Sequence, residues 1–190
     1  KLCSDKLFIA ANNIVGKKNI KFSIVRYGNV FGSRGSIAPL FLDQLKNNQI
    51  ITVTDKRMTR FNISLTEGIK LVDLAYKRML GGEIFVPKIP SFKVIDFAEL
   101  IANKKNLKIK FIGVRPGEKL HEEMITSADS HNTCEKDEYY VIFNPGLERH
   151  KKYLKYKMFP KNKSYNSLEN KNFLSKKDLE KVLKNYLNYN

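Results

Sequence analysis

An arginine and a glutamate flank a Pro-Gly pair in the run from Arg115 to Glu122. Arginine binds phosphate oxygens in a bidentate manner, and glutamate accepts hydrogen bonds from sugar hydroxyls. Because a Pro-Gly turn fixes the backbone, we expect Arg115 and Glu118 to face one cleft, the first as a phosphate ligand and the second as an acceptor for ribose hydroxyls. The spacing predicts a short helix from Glu118 to Met124. The alternative is a loop with solvated charges.

Two other segments carry residues suited to an anionic ligand. Arg26 to Ser36 is rich in glycine and follows the predicted strand 20–25, so it lies at the carboxyl end of that strand, where ligands bind in open α/β sheets. Its backbone N–H groups precede a predicted helix over 37–47, which Ser36 can cap, and such groups attract anions. Asp55 to Phe61 contains two arginines three positions apart, of which only one need face a ligand.

Alternating helices and strands must position these segments. The chain opens at Lys1 directly on a helical pattern, which indicates a fragment of a larger domain. The order of elements fits the C-terminal part of a Rossmann-type α/β domain plus a small α/β lobe, placed at 1–143, followed by a basic tail at 144–190. Such a part exposes apolar faces that a full parallel sheet would cover, so we expect it to associate. The predicted helices are 2–15, 37–47, 64–79, 94–103 and 175–187, the predicted strands are 20–25, 50–54, 59–63, 83–87, 107–112 and 139–143, and loops are predicted over 144–171.

Length and cysteine content limit the class of protein. The 190 residues favour one domain with a real core. No apolar run approaches the ~18 residues that span a bilayer, so no membrane span is predicted. Cys3 and Cys134 are far apart and lack the spacing of metal ligands, which indicates a reduced, cytoplasmic protein.

The histidines do not predict a metal site. His121 begins a run that opens like a zinc-protease motif, but Ile125 stands where the second histidine would be. His131 and His150 are isolated, and we expect both at the surface.

The net charge of +16 at pH 7 permits contact with nucleic acid or another polyanion. The surplus is mostly lysine, scattered along the chain, and it does not alternate with aromatic residues that could stack on bases. Specific binding of nucleic acid is therefore not predicted. A stand-alone basic binding module is the alternative from another class of function.

In their order and spacing the three segments resemble the C-terminal half of the extended short-chain dehydrogenase/reductase superfamily. Within it they are most similar to the inverting nucleotide-sugar 4,6-dehydratases that act on UDP-N-acetylglucosamine, over residues 1–143. The resemblance implies an NADP-dependent lyase that forms a 4-keto-6-deoxy sugar in the biosynthesis of pseudaminic acid and surface polysaccharide. It also implies a cytoplasmic enzyme that is a homo-oligomer when complete. A UDP-sugar epimerase of the same superfamily is the alternative within this class.

The resemblance also implies roles for individual residues. Lys1 would be the catalytic lysine of the family's Tyr-x-x-x-Lys pair, bound to the nicotinamide ribose, and Tyr27 would lie beside the nicotinamide ring. The tyrosine of that pair would fall four positions before Lys1, and no G-x-x-G-x-x-G fingerprint occurs in the chain, so the chain alone is expected to be inactive. Arg60 is chosen over Arg57 for the diphosphate. The substrate-binding residues would be Asn29, Arg34, Ser36, Thr54, Arg60, Arg115 and Glu118.

Overall fold

The computed structural model describes residues 2–188, which form two compact units. The first unit contains the described chain up to Tyr27, together with Thr66–Lys88 and Met124–Tyr165. The second unit contains Gly28–Leu65, Ile89–Glu123 and the described chain from Asn166 onwards. Each unit is therefore assembled from stretches that are far apart in the sequence.

One or two strands separate successive helices along the described chain. The helices are α1 (Leu2–Ala11), α2 (Ile37–Lys46), α3 (Leu65–Arg78), α4 (Val94–Ala102), α5 (Ser127–Ser130) and α6 (Lys176–Asn188), and a 3-10 helix spans Glu148–Lys155. The strands are β1 (Ile24–Val25), β2 (Ile51–Val53), β3 (Thr59–Phe61), β4 (Ile84–Pro87), β5 (Ser91–Lys93), β6 (Ile109–Phe111), β7 (Glu123–Ile125), β8 (Thr133–Glu135), β9 (Tyr139–Ile142) and β10 (Tyr165–Asn166).

The first unit is built on a four-stranded sheet in the order β1-β4-β9-β8. β1 and β4 pair in parallel, whereas β9 pairs antiparallel with both β4 and β8. Every residue of β4 is buried, because the strand has a neighbour on each side. Leu71 and Ala75, at helical spacing on α3, share a core cluster with Phe85 and Val141 of the sheet.

The second unit packs α2, α4 and α6 around two pairs of short strands. β2 pairs with β6 in parallel, and β3 pairs with β5 antiparallel. Phe97 of α4 is fully buried, and the rings of Phe31, Phe41 and Phe92 lie 5.4, 5.7 and 6.3 Å from its own. Such ring pairs each stabilise by about 0.5–1.5 kcal/mol beyond the burial of area. The core therefore holds Phe31, in the glycine-rich segment, and Phe92, on β5.

The structure confirms the mixed α/β class and the helices with the clearest sequence signals. α3 and α6 lie within a residue of their predicted bounds. At the start of α6 the Asp178 N–H donates to Ser175 Oγ and the Ser175 N–H donates to Asp178 Oδ2, both at 3.2 Å. This reciprocal capping box explains why the helix begins there.

The prediction of a helix from Glu118 to Met124 is wrong. This stretch is irregular chain with a bend at Leu120 and His121, and it leads into β7. Its backbone carbonyls serve partners far along the chain: Leu120 O accepts from the Thr59 N–H at 3.1 Å, and Glu122 O accepts from the Ser167 N–H at 2.8 Å. These long-range bonds replace the local pattern that a helix requires.

Asn12 shortens both the first helix and the first strand relative to their predicted lengths. Its Nδ2 donates to Ile9 O at 3.0 Å, and α1 ends at Ala11 rather than at residue 15. The same side chain forms hydrogen bonds with both backbone groups of Phe22: it accepts from the N–H at 3.0 Å and donates to the carbonyl at 2.9 Å. The Phe22 carbonyl also accepts from the Gly82 N–H at 2.7 Å, next to β4, whereas the Phe22 N–H bonds to Asn12, and β1 covers only Ile24–Val25 of the predicted 20–25.

The stretch 144–171 is more ordered than predicted. It contains the 3-10 helix and β10, and it buries His150 completely. His150 Nδ1 accepts from the Asn144 N–H at 3.1 Å and Nε2 donates to Gly81 O at 3.0 Å. The prediction of a surface histidine at 150 is therefore wrong, because both ring nitrogens have backbone partners inside the fold.

Several features bear on the class of protein without defining its function. Among residues 2–188 no helix is both long and apolar enough to cross a membrane. No group of three or more His, Cys, Asp or Glu in the same range is placed to hold a metal ion. Cys3 and Cys134 are free, and burial raises the pKa of the Cys134 thiol to about 11.

Candidate functional site

A cleft of ≈ 200 Å³ opens in the second unit, with walls from the glycine-rich segment, the first turn of α2, β3 and the Arg115 turn. Its polar lining consists of Asn29, Ser36, Arg60, Asn62 and Glu118. All of these except Asn62 are residues that the sequence singled out. The cleft thus brings together residues that lie up to ninety positions apart in the chain.

Arg60 supplies the positive charge of the cleft. It occupies the middle of β3, where Thr59 and Phe61 on the other face are buried, so its side chain stays half exposed. Its Nη1 donates to the carbonyls of Thr59 at 2.8 Å and Leu120 at 2.9 Å, and its Nη2 donates to Lys119 O at 3.0 Å. Within the described chain Arg60 makes no ion pair, so its charge is oriented by neutral carbonyls and remains available to an anion.

Glu118 supplies the negative charge. The Glu118 N–H donates to Arg115 O at 3.0 Å across the Pro-Gly pair, and Gly117 has a φ of 79°, the arrangement of a type II turn. The carboxylate accepts from Thr54 Oγ1 and from the Arg115 N–H, each at 3.3 Å. Both bonds are long, and a carboxylate has about four acceptor positions, so Glu118 retains capacity for donors from a ligand.

Two polar atoms in the wall of the cleft are buried without a partner. Within the described part of the chain, Ser36 Oγ and Asn62 Oδ1 are the only such side-chain atoms. Ser36 precedes α2 as predicted, but its hydroxyl makes no capping bond. An unpaired buried polar group costs about 1–3 kcal/mol, so these two atoms beside one cleft are candidate contacts for a ligand.

Asn62 lines the cleft but is not among the site residues predicted from the sequence. It is 8% exposed and follows Arg60 by two positions, and residues at that spacing in extended chain point to the same face. This alternation was the available signal: once Arg60 is assigned to a ligand, Asn62 becomes a candidate for the same ligand.

The other predicted site residues lie elsewhere. Thr54 touches the cleft only through Glu118, and the side chains of Arg34 and Arg115 are exposed and do not line it. Tyr27 is 39% exposed and belongs to the first unit. Lys1 lies outside the described residues. The roles of these residues stay predictions.

Arg57 and His121 complete the electrostatics next to the cleft. Arg57 Nε and Nη2 donate to the two carboxylate oxygens of Asp55 at 2.9 and 2.8 Å, and these bonds lower the pKa of Asp55 to about 2. Burial, followed by the charges of Arg60 and Arg57, lowers the pKa of His121, whose Nδ1 lies 2.8 Å from Thr59 Oγ1. Arg57 is therefore neutralised by its own neighbour, and His121 stays uncharged at neutral pH.

The described residues do not make a complete dinucleotide site. The spacing of Gly28, Gly32 and Gly35 is not that of the phosphate-binding fingerprint. A Cβ built on Gly32 would overlap the ring of Tyr186, so this glycine is explained by packing within the protein rather than by close approach of a pyrophosphate. The cleft itself combines the positive charge of Arg60 with the acceptor oxygens of Glu118 and Asn62.

Comparison with known proteins places the chain in a family. The α/β fold is that of the Rossmann-type short-chain dehydrogenase/reductases, as the sequence resemblance indicated. The family model described as polysaccharide biosynthesis protein matches residues 1–144, and the chain belongs to that family.

Individual relatives agree with this assignment. The chain is 55% identical over 143 residues to the inverting UDP-N-acetylglucosamine 4,6-dehydratase of Campylobacter jejuni, covering 75% of the chain and 42% of the relative. It is 39% identical over 145 residues to the UDP-glucose 4-epimerase of Rickettsia bellii, with the same coverage. The chain spans about half the length, or less, of the curated relatives that it matches.

Solved structures extend the similarity to almost the whole chain. The structure of Pen from Bacillus thuringiensis superposes with a TM-score of 0.82 at 36% identity, over 97% of this chain and 55% of Pen. The dTDP-glucose 4,6-dehydratase DesIV from Streptomyces venezuelae superposes with a TM-score of 0.56 at 17% identity, over 63% of this chain and 39% of DesIV, which shows the fold alone.

Proposed function

We propose that the chain is the nucleotide-sugar-binding part of a UDP-N-acetylglucosamine 4,6-dehydratase that inverts the configuration at C5 of the sugar. The enzyme would serve the biosynthesis of pseudaminic acid and surface polysaccharide. The single observation that carries the proposal is the cleft. Among the described residues, it combines an arginine that has no carboxylate partner with oxygens that have no hydrogen-bond partner. A nucleoside diphosphate has the complementary chemistry, since its phosphates accept hydrogen bonds and its ribose hydroxyls donate them. The 55% identity to the Campylobacter jejuni enzyme supports the particular substrate.

In this proposal different residues of the cleft bind different parts of the ligand. Arg60 binds the diphosphate, while Glu118 and Asn62 accept hydrogen bonds from hydroxyls. Asn29 and Ser36 contact the phosphate or the sugar, and the exposed Arg115 and Arg34 add positive charge at the rim. Binding the nucleotide in this way positions the sugar ring for the reaction, because energy from remote contacts supports orientation at the reacting centre.

The proposal for the whole protein extends beyond the described residues. It is a cytoplasmic, self-associating enzyme that uses NADP, with Lys1 and Tyr27 as the cofactor contacts contributed by this chain. A dehydratase releases water and leaves a 4-keto-6-deoxy sugar, whereas a 4-epimerase returns an isomer of its substrate. The similarity to the Rickettsia bellii epimerase makes epimerisation the second candidate. Mass spectrometry of the product from UDP-N-acetylglucosamine separates them, because only dehydration lowers the mass by one water.

A competition experiment tests binding by the chain itself. Fluorescently labelled UDP is bound to the protein and then displaced with unlabelled UDP or with random-sequence DNA, at low and at high salt. We expect UDP to compete at both salt concentrations and DNA to compete only at low salt, because DNA binding depends on the release of counterions. Displacement by DNA with no effect of UDP would favour the basic binding module instead.

A further inference from the structure

The segment 166–188, here called the C-terminal segment, lies outside the match to the family model, which ends at residue 144. All of it belongs to the second unit. We propose that the C-terminal segment is a positioning element of the cleft, which holds the glycine-rich wall, the Arg60 strand and β5 in their binding geometry. The inference rests on the proposed function only for the identity of the ligand. Three independent contacts carry it.

The first contact fixes the glycine-rich wall. The ring of Tyr186, in the last turn of α6, meets the ring of Phe31 edge-on with centroids 5.7 Å apart. It also fills the space where a side chain at position 32 would project, and its hydroxyl lies 3.5 Å from Gly32 O. Phe31 and Gly32 both line the cleft. Tyr186 therefore sets how far this wall can move away from the ligand.

The second contact lies beside Arg60. Ser167 Oγ is 2.7 Å from Thr59 Oγ1 and donates to Thr59 O at 3.2 Å. The same carbonyl accepts from Arg60 Nη1 at 2.8 Å. Ser167 Oγ also accepts from the Glu122 N–H at 2.9 Å, and Ser167 is fully buried. One serine of the C-terminal segment thus joins the strand that carries Arg60 to the chain that follows Glu118.

The third contact extends along β5. The Ser91 N–H donates to Asn172 O and the Leu174 N–H donates to Ser91 O, both at 2.8 Å, which places residues 172–174 as an added parallel edge. Asn170 Nδ2 donates to Ile89 O at 2.8 Å and to Ser91 Oγ at 2.9 Å. The next residue of β5 is Phe92, which lines the cleft.

The anchor of the C-terminal segment is the core of the second unit. Leu179 and Leu183 of α6 are 0% and 1% exposed and share a cluster with Phe97, while Phe31 packs against that cluster. The helix is therefore held by its own buried face, whether or not Tyr186 is present. This separation allows the positioning role of Tyr186 to be tested without removing the support of the helix.

The test replaces Tyr186 in the full chain and measures the affinity for UDP by calorimetry. We expect Tyr186→Ala to raise the Kd of UDP about tenfold, which corresponds to about 1.4 kcal/mol. Tyr186→Phe, which keeps the ring, should bind UDP with the wild-type affinity. Leu187→Ala is the matched control, because Leu187 neighbours Tyr186 on α6 but is 49% exposed. If Tyr186→Ala destabilises the fold, Tyr186→Leu serves as the second variant, because leucine keeps apolar volume without the flat ring.

A second readout does not depend on the ligand. The Phe31 N–H donates to Ile63 O at 2.9 Å, and its hydrogen exchange reports the motion of the wall. We expect Tyr186→Ala and Tyr186→Leu to accelerate this exchange, while the amides of α4 stay protected. If the wild-type chain does not bind UDP but the exchange at Phe31 rises in the variants, the proposed function fails and the positioning role stands. Unchanged exchange and unchanged UDP affinity in a folded Tyr186→Leu variant would overturn the inference.

Discussion

Arg60 and Arg57 carry the same charge three positions apart, but within the described part of the chain only Arg57 has a carboxylate partner. Asp55 holds Arg57 through two side-chain bonds, whereas backbone carbonyls orient Arg60 toward the cleft. A carbonyl fixes the position of a guanidinium without cancelling its charge. The local sequence therefore separates two chemically identical side chains into one that is neutralised and one that can bind an anion.

This difference predicts unequal effects of two matched substitutions. Arg60→Ala should weaken UDP binding by about 1.5–3 kcal/mol, the range for a hydrogen bond to a charged group, which is about tenfold to two-hundredfold in Kd. Arg57→Ala removes an equal charge, but Asp55 already pairs that charge in the solvent, so we expect a change in Kd well below that of Arg60→Ala. Calorimetric titration with UDP measures both. Equal losses in the two variants would show that the cleft responds to net charge and not to Arg60.

Replacing Asn62 should affect binding but leave stability nearly unchanged. Its Oδ1 has no partner among residues 2–188, so Asn62→Ala removes an unpaired buried acceptor, and we expect the free energy of unfolding to stay within about 1 kcal/mol of the wild-type value. The affinity for UDP should nevertheless fall by about 1 kcal/mol, because a ligand hydroxyl loses its acceptor. Urea unfolding and UDP titration measure the two quantities. A large loss of stability without a loss of affinity would assign Asn62 to the fold instead.

At the scale of elements, the sequence predicts helices and strands that depend on neighbouring residues. It does not predict those that depend on residues far along the chain. α3 and α6 could be predicted because their periodicity and caps are local. The stretch from Glu118 to Met124 could not, because carbonyls of Leu120 and Glu122 are taken by Thr59 and Ser167. The Pro-Gly turn before it was predicted, and the turn is what carries Glu118 to the cleft. The Phe22 N–H likewise bonds to the side chain of Asn12, ten residues away, instead of to a strand.

The Pro-Gly turn provides a prediction with an internal control. Gly117 and Gly113 have φ values of 79° and 85°, and a Cβ at either position would meet nothing within 4 Å. Alanine at each position should therefore lower stability by a similar amount, about 1–2 kcal/mol, from backbone strain alone. Only Gly117→Ala should also weaken UDP binding, because only Gly117 shapes the turn that holds Glu118. Thermal unfolding together with UDP titration checks this, and an equal loss of affinity in both variants would contradict it.

At the scale of the whole molecule, exposed apolar surface lies on the helices of the first unit. Ile69, Val72 and Tyr76 of α3 are 59%, 50% and 73% exposed, and they share a face at helical spacing. Leu7 and Phe8 of α1 are 72% and 54% exposed. Large exposed apolar faces of this kind favour association. Association of the chain stays a prediction, and sedimentation velocity over a range of protein concentrations tests it.

The buried His150 makes the stability of the molecule depend on pH. Burial lowers the pKa of His150 below its ordinary value of 6.5, against the opposing charge of Glu83, whose Oε1 lies 4.0 Å from Nε2. Burial alone would raise the pKa of Glu83, but bonds from Ser23 Oγ, the Leu80 N–H and Tyr153 OH outweigh it and lower the net value. Protonation of Nδ1 would also break the bond from the Asn144 N–H. The folded state therefore holds His150 neutral.

The direction of the pH effect follows from proton linkage. The unfolded chain takes up a proton on His150 as the pH falls below about 6.5, while the folded chain resists it, so stability is present above that pH and is lost below it. One such group contributes a slope of at most about 1.4 kcal/mol per pH unit. Urea unfolding between pH 7.5 and 5.5 should show this loss, and His150→Gln, which keeps a donor and an acceptor without titrating, should reduce it. His121, whose pKa is also lowered, titrates equally in both proteins, so the difference between their slopes reports His150; identical slopes would place the pH dependence elsewhere.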